Sequence, residues 1–513
     1  MIKKFKREWN RPGGRRTFAA IFGGKMIGVG ACMLIAKVIL GGIGADAGAS
    51  IMGGPSKPAG TVELVSAANT LWLLLAAFLV FFMQAGFMFL EVGFARERET
   101  VNILLECIVD TCLCGLLFWA FGFAFMFGTG NAWIGHSNFF LRGAPLTYGS
   151  TGISFSAFFL FQYAFADTCS TITSGAMVGR TGFVGDLLYS VAVSGFIYPI
   201  LGHWAWGPNG WLETMDTPFR DFAGSTVVHT IGGMIALAGA IVLGPRLGRK
   251  FKRDGGGMWP GHNMVFAALG GVILWFGWYG FNPGSTASIL DFEGAGRVAT
   301  NTTLAACAGG LSAMFIIYPR LKKWDTGITI NGFLGGLVAI TAPCYWVTSF
   351  GSIVIGAVAG VVVVLGVDLI EWLRIDDPIG AVAVHGFAGI WGTLSIGLLA
   401  SGDFGLAGTD GPDTTVLIKG LFYGGGTKQL VSQVIGSVAI GGSAFVVAMI
   451  VMYVVKATKT LRISEEGELE GIDVHEHGAG AYHWDFGAGG SGATGAFAQA
   501  GVTTSSTTST TSS

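Results

Sequence analysis

The sequence has few charged residues. Only 12% of its 513 residues are Asp, Glu, Lys or Arg, while 51% are hydrophobic; soluble domains carry about 25% charged residues. A deficit this large excludes an ordinary soluble domain. The net charge of −1 provides no field that would attract nucleic acid. Proline is scarce, and the abundant glycine follows no Gly-X-Y period, so a collagen is excluded and closely packed helices in lipid are indicated.

Metal-binding patterns are also missing. The seven cysteines lie in apolar runs, and the apolar segments contain no His-x-x-x-His or Cys-x-x-Cys. Cys112 and Cys114 are two residues apart, so on a helix they face different directions. We therefore interpret the cysteines as small buried hydrophobic residues. We expect neither a cofactor nor a metal, and no catalytic residue.

Long apolar runs recur after residue 60. About 20 apolar helical residues cross a bilayer core, and this rule predicts eleven spans: 69–92, 103–126, 155–178, 185–206, 222–244, 261–281, 299–319, 328–346, 351–372, 380–400 and 429–456. Fifteen Lys and Arg residues follow odd-numbered spans and five follow even-numbered spans. Cytoplasmic loops collect these residues. We therefore predict a multi-pass protein of the cell membrane, with the mature N-terminus outside and the C-terminus inside.

The two ends of the chain differ from its middle. Residues 1–47 combine a basic head, an apolar stretch and an Ala-Asp-Ala motif, which predicts a signal peptide, with an uncleaved twelfth span as the alternative. Residues 48–66 would be an external segment, and 67–456 the transmembrane domain. Residues 457–483 are charged and would be cytoplasmic. Residues 484–513 are rich in Gly, Ser and Thr, and we predict them to be disordered.

Two histidines lie in the middle of apolar spans, in matching surroundings. His229 and His385 each follow an Asp by eight residues (Asp221 and Asp377), and each is preceded by Val and followed four residues later by Gly. This weak repeat falls on the fifth and tenth spans. It predicts two inverted five-span halves that bring the histidines together near the midplane. The alternatives are that each histidine only bonds a neighbouring helix, and that each Asp caps its helix or, at Asp221, binds a cation.

Two imidazoles in an apolar tube favour one kind of solute. A neutral ring offers one donor and one acceptor, which suits a small neutral amine, while a dry tube penalises a bare cation. Aromatic residues are the second indication: Trp206 and Phe281 would lie at the outer mouth, where ring faces attract a cation and Ser285 can accept an N–H. The alternative for these rings is the aromatic belt at the membrane interface.

The run from Asp221 to His229, Asp-Phe-Ala-Gly-Ser-Thr-Val-Val-His, resembles the signature of the ammonium transporter (Amt/Mep/Rh) family. The likeness covers about residues 65–483. It includes Gln84-Ala-Gly-Phe with Glu91, Phe161-Gln-x-x-Phe165, Gly280-Phe-Asn-Pro-Gly-Ser285, Asp376-Asp-Pro378 and Val384-His-Gly386. The resemblance implies an all-α membrane protein with the ammonium transporter fold: eleven transmembrane helices in two inverted five-helix halves plus a final helix.

The resemblance also implies roles for single residues. It implies recruitment of NH4+ by Trp206 and Ser285 with Phe161, and a pore gate formed by a stacked pair, Phe161 and Phe281. Phe165 would be a further ring by the vestibule. Beyond the gate, ammonia would be conducted along the histidine pair His229 and His385, with or without a separately moved proton. Asp221 would support the recruitment site without touching the ligand; the matched Asp377 is assigned the same structural role.

Partners are implied in the same way. They are ammonium or ammonia with methylammonium as a possible substrate, two further copies of the chain in a homotrimer, and a PII-type signal protein at the cytoplasmic face. Residues 470–482 resemble the family's regulatory segment, although Ala479 stands where Glu is common, and the stretch 175–180 has Gly where Glu is common. The alternatives are an ammonium sensor acting through a cytoplasmic partner, a gas channel of the Rh kind, and a membrane metalloenzyme.

Overall fold

The computed structural model describes residues 60–404 and 416–482. The architecture below is that of the unit that begins at Val62. The predicted signal peptide, most of the external segment 48–66 and the predicted disordered tail lie outside the described residues. The same holds for the central part of the long loop that follows residue 400.

Within the described residues, eleven main helices follow one another, each overlapping one predicted span. They are α1 (Thr61–Phe94), α2 (Glu97–Phe127), α3 (Phe155–Gly175), α4 (Phe183–Trp206), α5 (Ser225–Leu243), α6 (Met264–Gly284), α7 (Phe292–Leu321), α8 (Thr326–Ile340), α9 (Ser349–Trp372), α10 (Val382–Leu399) and α11 (Lys428–Ala457). A short hairpin of β1 (Thr147–Tyr148) and β2 (Ile153–Ser154) lies between α2 and α3 in the sequence. A short helix, α12 (Glu465–Glu470), follows α11.

Nine of these helices are long and apolar enough to cross a membrane, counting only the described part of the chain. The remaining two fall short for different reasons. Helix α8 has only 15 residues, and the second half of α3 is rich in Ser and Thr. The prediction of a mostly helical, multi-pass membrane protein is therefore confirmed, while the count of eleven spans stays a prediction.

Several helices begin at a residue that caps their first turn. Asn263 accepts hydrogen bonds from the backbone of α6, at 3.1 Å, and Asp291 accepts one from Gly294 N at 2.9 Å in α7. Asp325 does the same for α8 at 2.8 Å. Short polar side chains satisfy backbone N–H groups that have no partner at a helix start, so these residues determine where the helices begin.

Helices α7, α8 and α9 pack closely because glycine lies at their contacts. A Cβ on Gly336 of α8 would lie 2.3 Å from Ala305 O of α7, and one on Gly356 of α9 would lie 2.1 Å from the same oxygen. Neither position has room for a side chain. Small residues at helix contacts are the usual means of close packing in lipid, which accounts for the glycine content seen in the sequence.

The two ends of the helix bundle carry different groups. One end, named here the tail face, carries the segment 461–482, which includes α12 and is bonded to the loops there; Ile463 N donates to Arg180 O at 3.1 Å and Leu247 N to Glu468 at 2.6 Å. The opposite end, named the vestibule face, carries the loop after α4 and the end of α6. The residues of the candidate functional site, described below, lie between these two faces.

Candidate functional site

The two histidines meet inside the bundle. His229 lies in a wide first turn of α5, Ser225–Thr230, and His385 in the equivalent turn of α10, Val382–Phe387. Their Nδ1 atoms are 3.2 Å apart, and the ring centroids are 5.3 Å apart with 23° between the planes. His229 is fully buried and His385 is 6% exposed. The structure thus brings together the two residues that the repeat in the sequence paired.

Each histidine turn is held by the Asp that precedes it. Both carboxylate oxygens of Asp221 accept hydrogen bonds from backbone N–H groups at the start of α5, four bonds in all, at 2.8–2.9 Å. Asp377 accepts three such bonds at the start of α10, at 2.9–3.0 Å. Both carboxylates are therefore engaged as helix caps. They fix the orientation of the turns from which the imidazoles project.

Two glycines let α5 and α10 cross in contact at the histidines. A Cβ on Gly233 would lie 2.3 Å from Gly386 N, and one on Gly389 would lie 2.4 Å from Ser225 O. These glycines follow His229 and His385 by four residues, one helical turn. A larger residue at either position would push the helices apart and separate the imidazoles.

An aromatic column covers His229. Its ring stacks with Trp278 at 5.2 Å and with Phe281 at 5.4 Å between centroids. Trp278 is held by a hydrogen bond from its Nε1 to Thr341 Oγ1 at 2.9 Å. In the described part of the chain, Nε2 of His229 is buried and has no hydrogen-bond partner. A polar atom left open in an apolar lining is available to a solute that can hydrogen-bond.

The stacked phenylalanine pair differs from the expected one. The rings of Phe165 and Phe281 stack at 3.9 Å and 21°, whereas Phe161 is tilted against Phe165 at 4.6 Å. The assignment of Phe161 to the stacked gate was therefore wrong. Phe161 and Phe165 are one turn apart on the same face of α3, so the sequence does not decide which of them meets Phe281. Phe161 instead packs beside Gly284, where a Cβ would lie 3.1 Å from its ring.

A vestibule opens above the stacked pair. It has a volume of about 770 Å³ including its open mouth, and its lining includes Trp206, Ser285, Phe161 and Phe165. Nε1 of Trp206 donates to Asp221 O at 2.8 Å, which fixes the indole ring. Ser285 Oγ donates to Phe281 O at 2.8 Å, so its lone pairs remain free to accept an N–H from a ligand.

Two residues of the site were given no role in the sequence interpretation. Trp278 lies three residues before Phe281, and this spacing on one helix face is the signal that could have placed both rings beside the histidines. Thr341, which orients Trp278, follows the end of α8, and nothing in the sequence around it indicated a role. Within residues 60–404 and 416–482, no cluster of His, Cys, Asp and Glu is placed to hold a metal ion.

Comparisons with known proteins point to one family. The model of the Ammonium Transporter Family matches residues 71–482. Ammonium transporter Amt2 of Archaeoglobus fulgidus is 43% identical over 421 residues, which cover 80% of this chain and 87% of that protein. Ammonium transporter 1 member 3 of Solanum lycopersicum is 37% identical over 438 residues, covering 82% and 94%.

Solved structures are similar over the same region. A sensor Amt protein has a TM-score of 0.73 and 36% identity, with 81% of this chain and 99% of that chain covered. Mep2 of Saccharomyces cerevisiae has a TM-score of 0.70 and 28% identity, with 78% and 90% covered. With the family model matched across most of the chain and two buried histidines in contact beneath an aromatic vestibule, the chain belongs to the ammonium transporter family.

Proposed function

We propose that this chain recruits NH4+ in the vestibule and conducts NH3 past the two histidines to the tail face. The observation that carries the proposal is the contact of the His229 and His385 imidazoles, buried directly below a stacked aromatic pair. Homologues named ammonium transporters make ammonium the expected substrate, and methylammonium is a second substrate of similar shape.

Recruitment depends on three groups of the vestibule. The rings of Trp206 and Phe161 offer faces to a cation that sheds water, a contribution of up to about 2 kcal/mol when the site is dry. Ser285 Oγ, whose own proton is donated to Phe281 O, can accept one ammonium N–H. The Asp221 carboxylate acts indirectly, because it caps α5 while the Asp221 carbonyl holds the Trp206 indole.

The stacked pair of Phe165 and Phe281 separates the vestibule from the histidines. Rings 3.9 Å apart leave no room between them, so a solute must displace them to pass. A hydrated sodium or potassium ion would have to lose its shell in an apolar passage at a cost of many kcal/mol. Ammonium has another route, since the loss of one proton leaves a neutral molecule.

Below the gate, the imidazoles replace water as hydrogen-bond partners. Burial favours neutral rings, and two neutral rings that share a proton between their Nδ1 atoms leave both Nε2 atoms for a solute. Ammonia has three N–H groups and one lone pair, so it can bond to either nitrogen. Each bond offsets part of the cost of taking a polar solute through an apolar tube.

The finer architecture belongs to the same proposal. All eleven helices would cross the membrane as two inverted halves and a final helix, with the vestibule face outside, the tail face in the cytoplasm, and a signal peptide at the N-terminus. Three copies would assemble with one pore each. Support comes from the matched capped turns of α5 and α10 and from the cationic loops that the sequence places on alternate sides.

Uptake of radiolabelled methylammonium into proteoliposomes tests the proposal. We expect His229→Ala and His385→Ala to lower uptake or its selectivity over potassium at least about tenfold, because a missing imidazole leaves the solute without partners. His136→Ala is the matched control, since this histidine is exposed. A double His229→Ala, His385→Ala variant with normal uptake and normal selectivity would refute the assigned roles.

Sensing is the second candidate function. One observation favours it: the segment 461–482 is bonded to the tail face at several points, so movement of the helices would reach it. A similar solved structure is that of a sensor Amt protein. A PII-type partner at this face would be revealed by pull-down with the purified protein, and binding that depends on ammonium in transport-negative His229→Ala protein would favour a sensor.

A further inference from the structure

Five carboxyl side chains lie inside the first four helices and take no part in the pore. Each is at most 3% exposed. We call them the acidic column: Glu91 on α1, Glu106 and Asp110 on α2, Asp167 on α3 and Asp186 on α4. None of them forms an ion pair within the described residues. An ionisable group at this depth is costly and indicates function by default.

The members of the acidic column have no charge-compensating partners among the described residues. Each of the five has at least one buried side-chain oxygen without a hydrogen-bond partner in the described part of the chain. Helix α2, which carries Glu106 and Asp110, packs against both α3 and α4, which carry Asp167 and Asp186. Ionised carboxylates cannot be packed side by side in an apolar bundle without a compensating cation. The column must therefore hold protons, and neighbouring carboxyls that hold protons can exchange them through water or hydroxyl groups.

Neutral polar side chains without partners face the same column. In the described part of the chain, Ser190 Oγ lies beside Asp110 yet has no partner in hydrogen-bond geometry, and Ser194 Oγ, one turn further along α4, has none. Both serines are fully buried. Gln84 accepts a hydrogen bond from Thr171 Oγ1 at 2.9 Å, but its Nε2 is also unpartnered. Buried groups of this kind are normally bridged by ordered water, which is a carrier for protons.

These groups form two facing stripes along the bundle axis. Polar residues recur every fourth position on α2 and on α4, helices that contact each other. The stripe on α2 is Asn102, Glu106 and Asp110, and the stripe on α4 is Asp186, Ser190, Ser194 and Tyr198. Residues four apart share one face of a helix. Twelve residues of α4 rise about 18 Å, so the stripe covers more than half of a bilayer core of about 30 Å.

Both ends of the stripes reach functional parts of the molecule. At the tail face, Asn102 N donates to Asp473 Oδ1 at 2.9 Å, and Asn102 Oδ1 bonds His477 Nε2 at 2.8 Å. At the other end, the Tyr198 hydroxyl is buried and, within the described residues, has no hydrogen-bond partner, and the part of α4 that begins at Tyr198 contacts the histidine turn of α5. Asp221 caps the histidine turn, and its carbonyl holds the vestibule indole. The stripes therefore join the vestibule to the segment 461–482.

We propose that the acidic column is a proton path separate from the histidine pair. This rests on the proposed function, because the proton is the one that NH4+ loses in the vestibule. There NH4+ gives NH3 and H+; NH3 passes His229 and His385, and H+ moves between carboxyls, hydroxyls and bound water to the tail face. NH3 and H+ recombine there, so that each transported NH4+ carries one positive charge across.

An ammonium pulse applied to proteoliposomes tests the path with two readouts, the electrical current and the pH of the lumen. With the wild-type protein we expect a current and little change of luminal pH. Asp110→Asn and Glu106→Gln should reduce the current at least about tenfold, while the lumen becomes alkaline because NH3 now enters without its proton. Glu63→Gln, an exposed residue on α1, is the matched control and should behave as wild type.

The result that overturns the path is a normal current in Asp110→Asn and Glu106→Gln. Uptake of methylammonium by the wild type without any current would also overturn it, and would leave the ammonium function standing. Absence of uptake, current and pH change in the wild type would instead refute the proposed function and the path with it. If the carboxyl variants fail to fold, Ser190→Ala removes one hydroxyl of the stripe without touching a carboxyl, and a current equal to wild type would count against the path.

Discussion

Buried carboxyls occur in two parts of the described chain, paired with guanidinium groups in one part and without a neighbouring cation in the other. At the tail face, Asp376 accepts two hydrogen bonds from the Arg246 guanidinium at 2.8 and 2.9 Å, and Glu371 pairs with Arg249 at 2.5 Å. We call these four residues the tail clamp. The acidic column has five buried carboxyls, against two in the tail clamp, and no cation within ion-pair distance among the described residues.

The difference shows that burial alone does not define the role of a carboxyl. In the tail clamp, each carboxylate is paired with a guanidinium, so removing it leaves a buried guanidinium alone. In the acidic column, a charge would be uncompensated, so the groups are held neutral. Replacing one of these carboxyls by its amide removes the titratable proton and leaves the packing unchanged. One set serves stability and the other serves proton exchange. Substitutions that convert a carboxyl to its amide separate the two cases.

The largest effect is expected at Asp376. Asp376→Asn would leave the buried Arg246 without its ionised partner, and breaking a buried ion pair from one side costs about 3–5 kcal/mol. Thermal unfolding of the purified protein measures the loss. Asp376→Glu, which keeps the charge, is the control and should recover part of the stability. A stable Asp376→Asn protein would mean that the clamp and the column do not differ in the way described here.

The pH dependence of the clamp follows from the same contacts. Burial alone would raise the pKa of Asp376, but the guanidinium groups of Arg246 and Arg180 outweigh it and hold this pKa well below its usual range. A carboxyl whose pKa is depressed on folding contributes stability that is complete above its unfolded value of about 3.9 and is lost as pH falls through the folded value. The clamp should therefore be intact across pH 5–8, to within the order of 0.1 kcal/mol.

The second effect lies where the column reaches the tail face. Burial lowers the pKa of His477, which bonds Asn102 at 2.8 Å. A histidine whose pKa is lower in the folded state than in the unfolded state is harder to protonate when folded, so its protonation favours the undocked form. Docking of the segment 461–482 should therefore weaken as pH falls below about 6.5, the unfolded pKa of histidine. We expect a loss of about 1 kcal/mol, the value of one hydrogen bond. Hydrogen exchange of the segment at pH 5.5 and 7.5 measures it, and His477→Gln should remove the difference.

The sequence predicted the helices and the histidine pair well for a physical reason. Apolar length and cationic loops are properties of whole segments, so errors of a few residues do not matter. His229 and His385 could be paired because each stands in the same frame, with an Asp eight residues before it and a Gly four residues after it. The close crossing at Gly233 and Gly389 is the structural reason for that frame.

Other parts of the site could not be predicted because they depend on contacts between helices. Phe161 and Phe165 share a helix face, and only the position of α6 decides that Phe165 stacks on Phe281. The acidic column is spread over four helices. In the sequence, Asp186 stands at the start of an apolar run, where carboxyls are commonly exposed, and Asp167 stands in the middle of the third span, next to several Ser and Thr residues. Their proximity follows from the packing of α2 against α3 and α4.

The third prediction concerns the stability of the column. Asp110→Asn exchanges one neutral polar group for another of the same shape, so unfolding should change by no more than about 1 kcal/mol in either direction. Thermal unfolding of Asp110→Asn beside Asp376→Asn, in one detergent and at one pH, is the direct form of the comparison. If Asp110→Asn lowered the stability by more than half as much as Asp376→Asn does, Asp110 would have to be charged and paired in the folded protein.

The smallest effect is expected at a carboxyl that belongs to neither group. Asp254 bonds Arg374 at 2.6 and 2.9 Å, but both side chains are largely exposed, and water screens such a pair. Asp254→Asn should leave both the unfolding temperature and the ammonium-evoked current unchanged within error. A measurable fall in stability at Asp254 would show that carboxyls on the tail face act through the surface charge as a whole. The effect at Asp376 could then no longer be assigned to its burial beside Arg246.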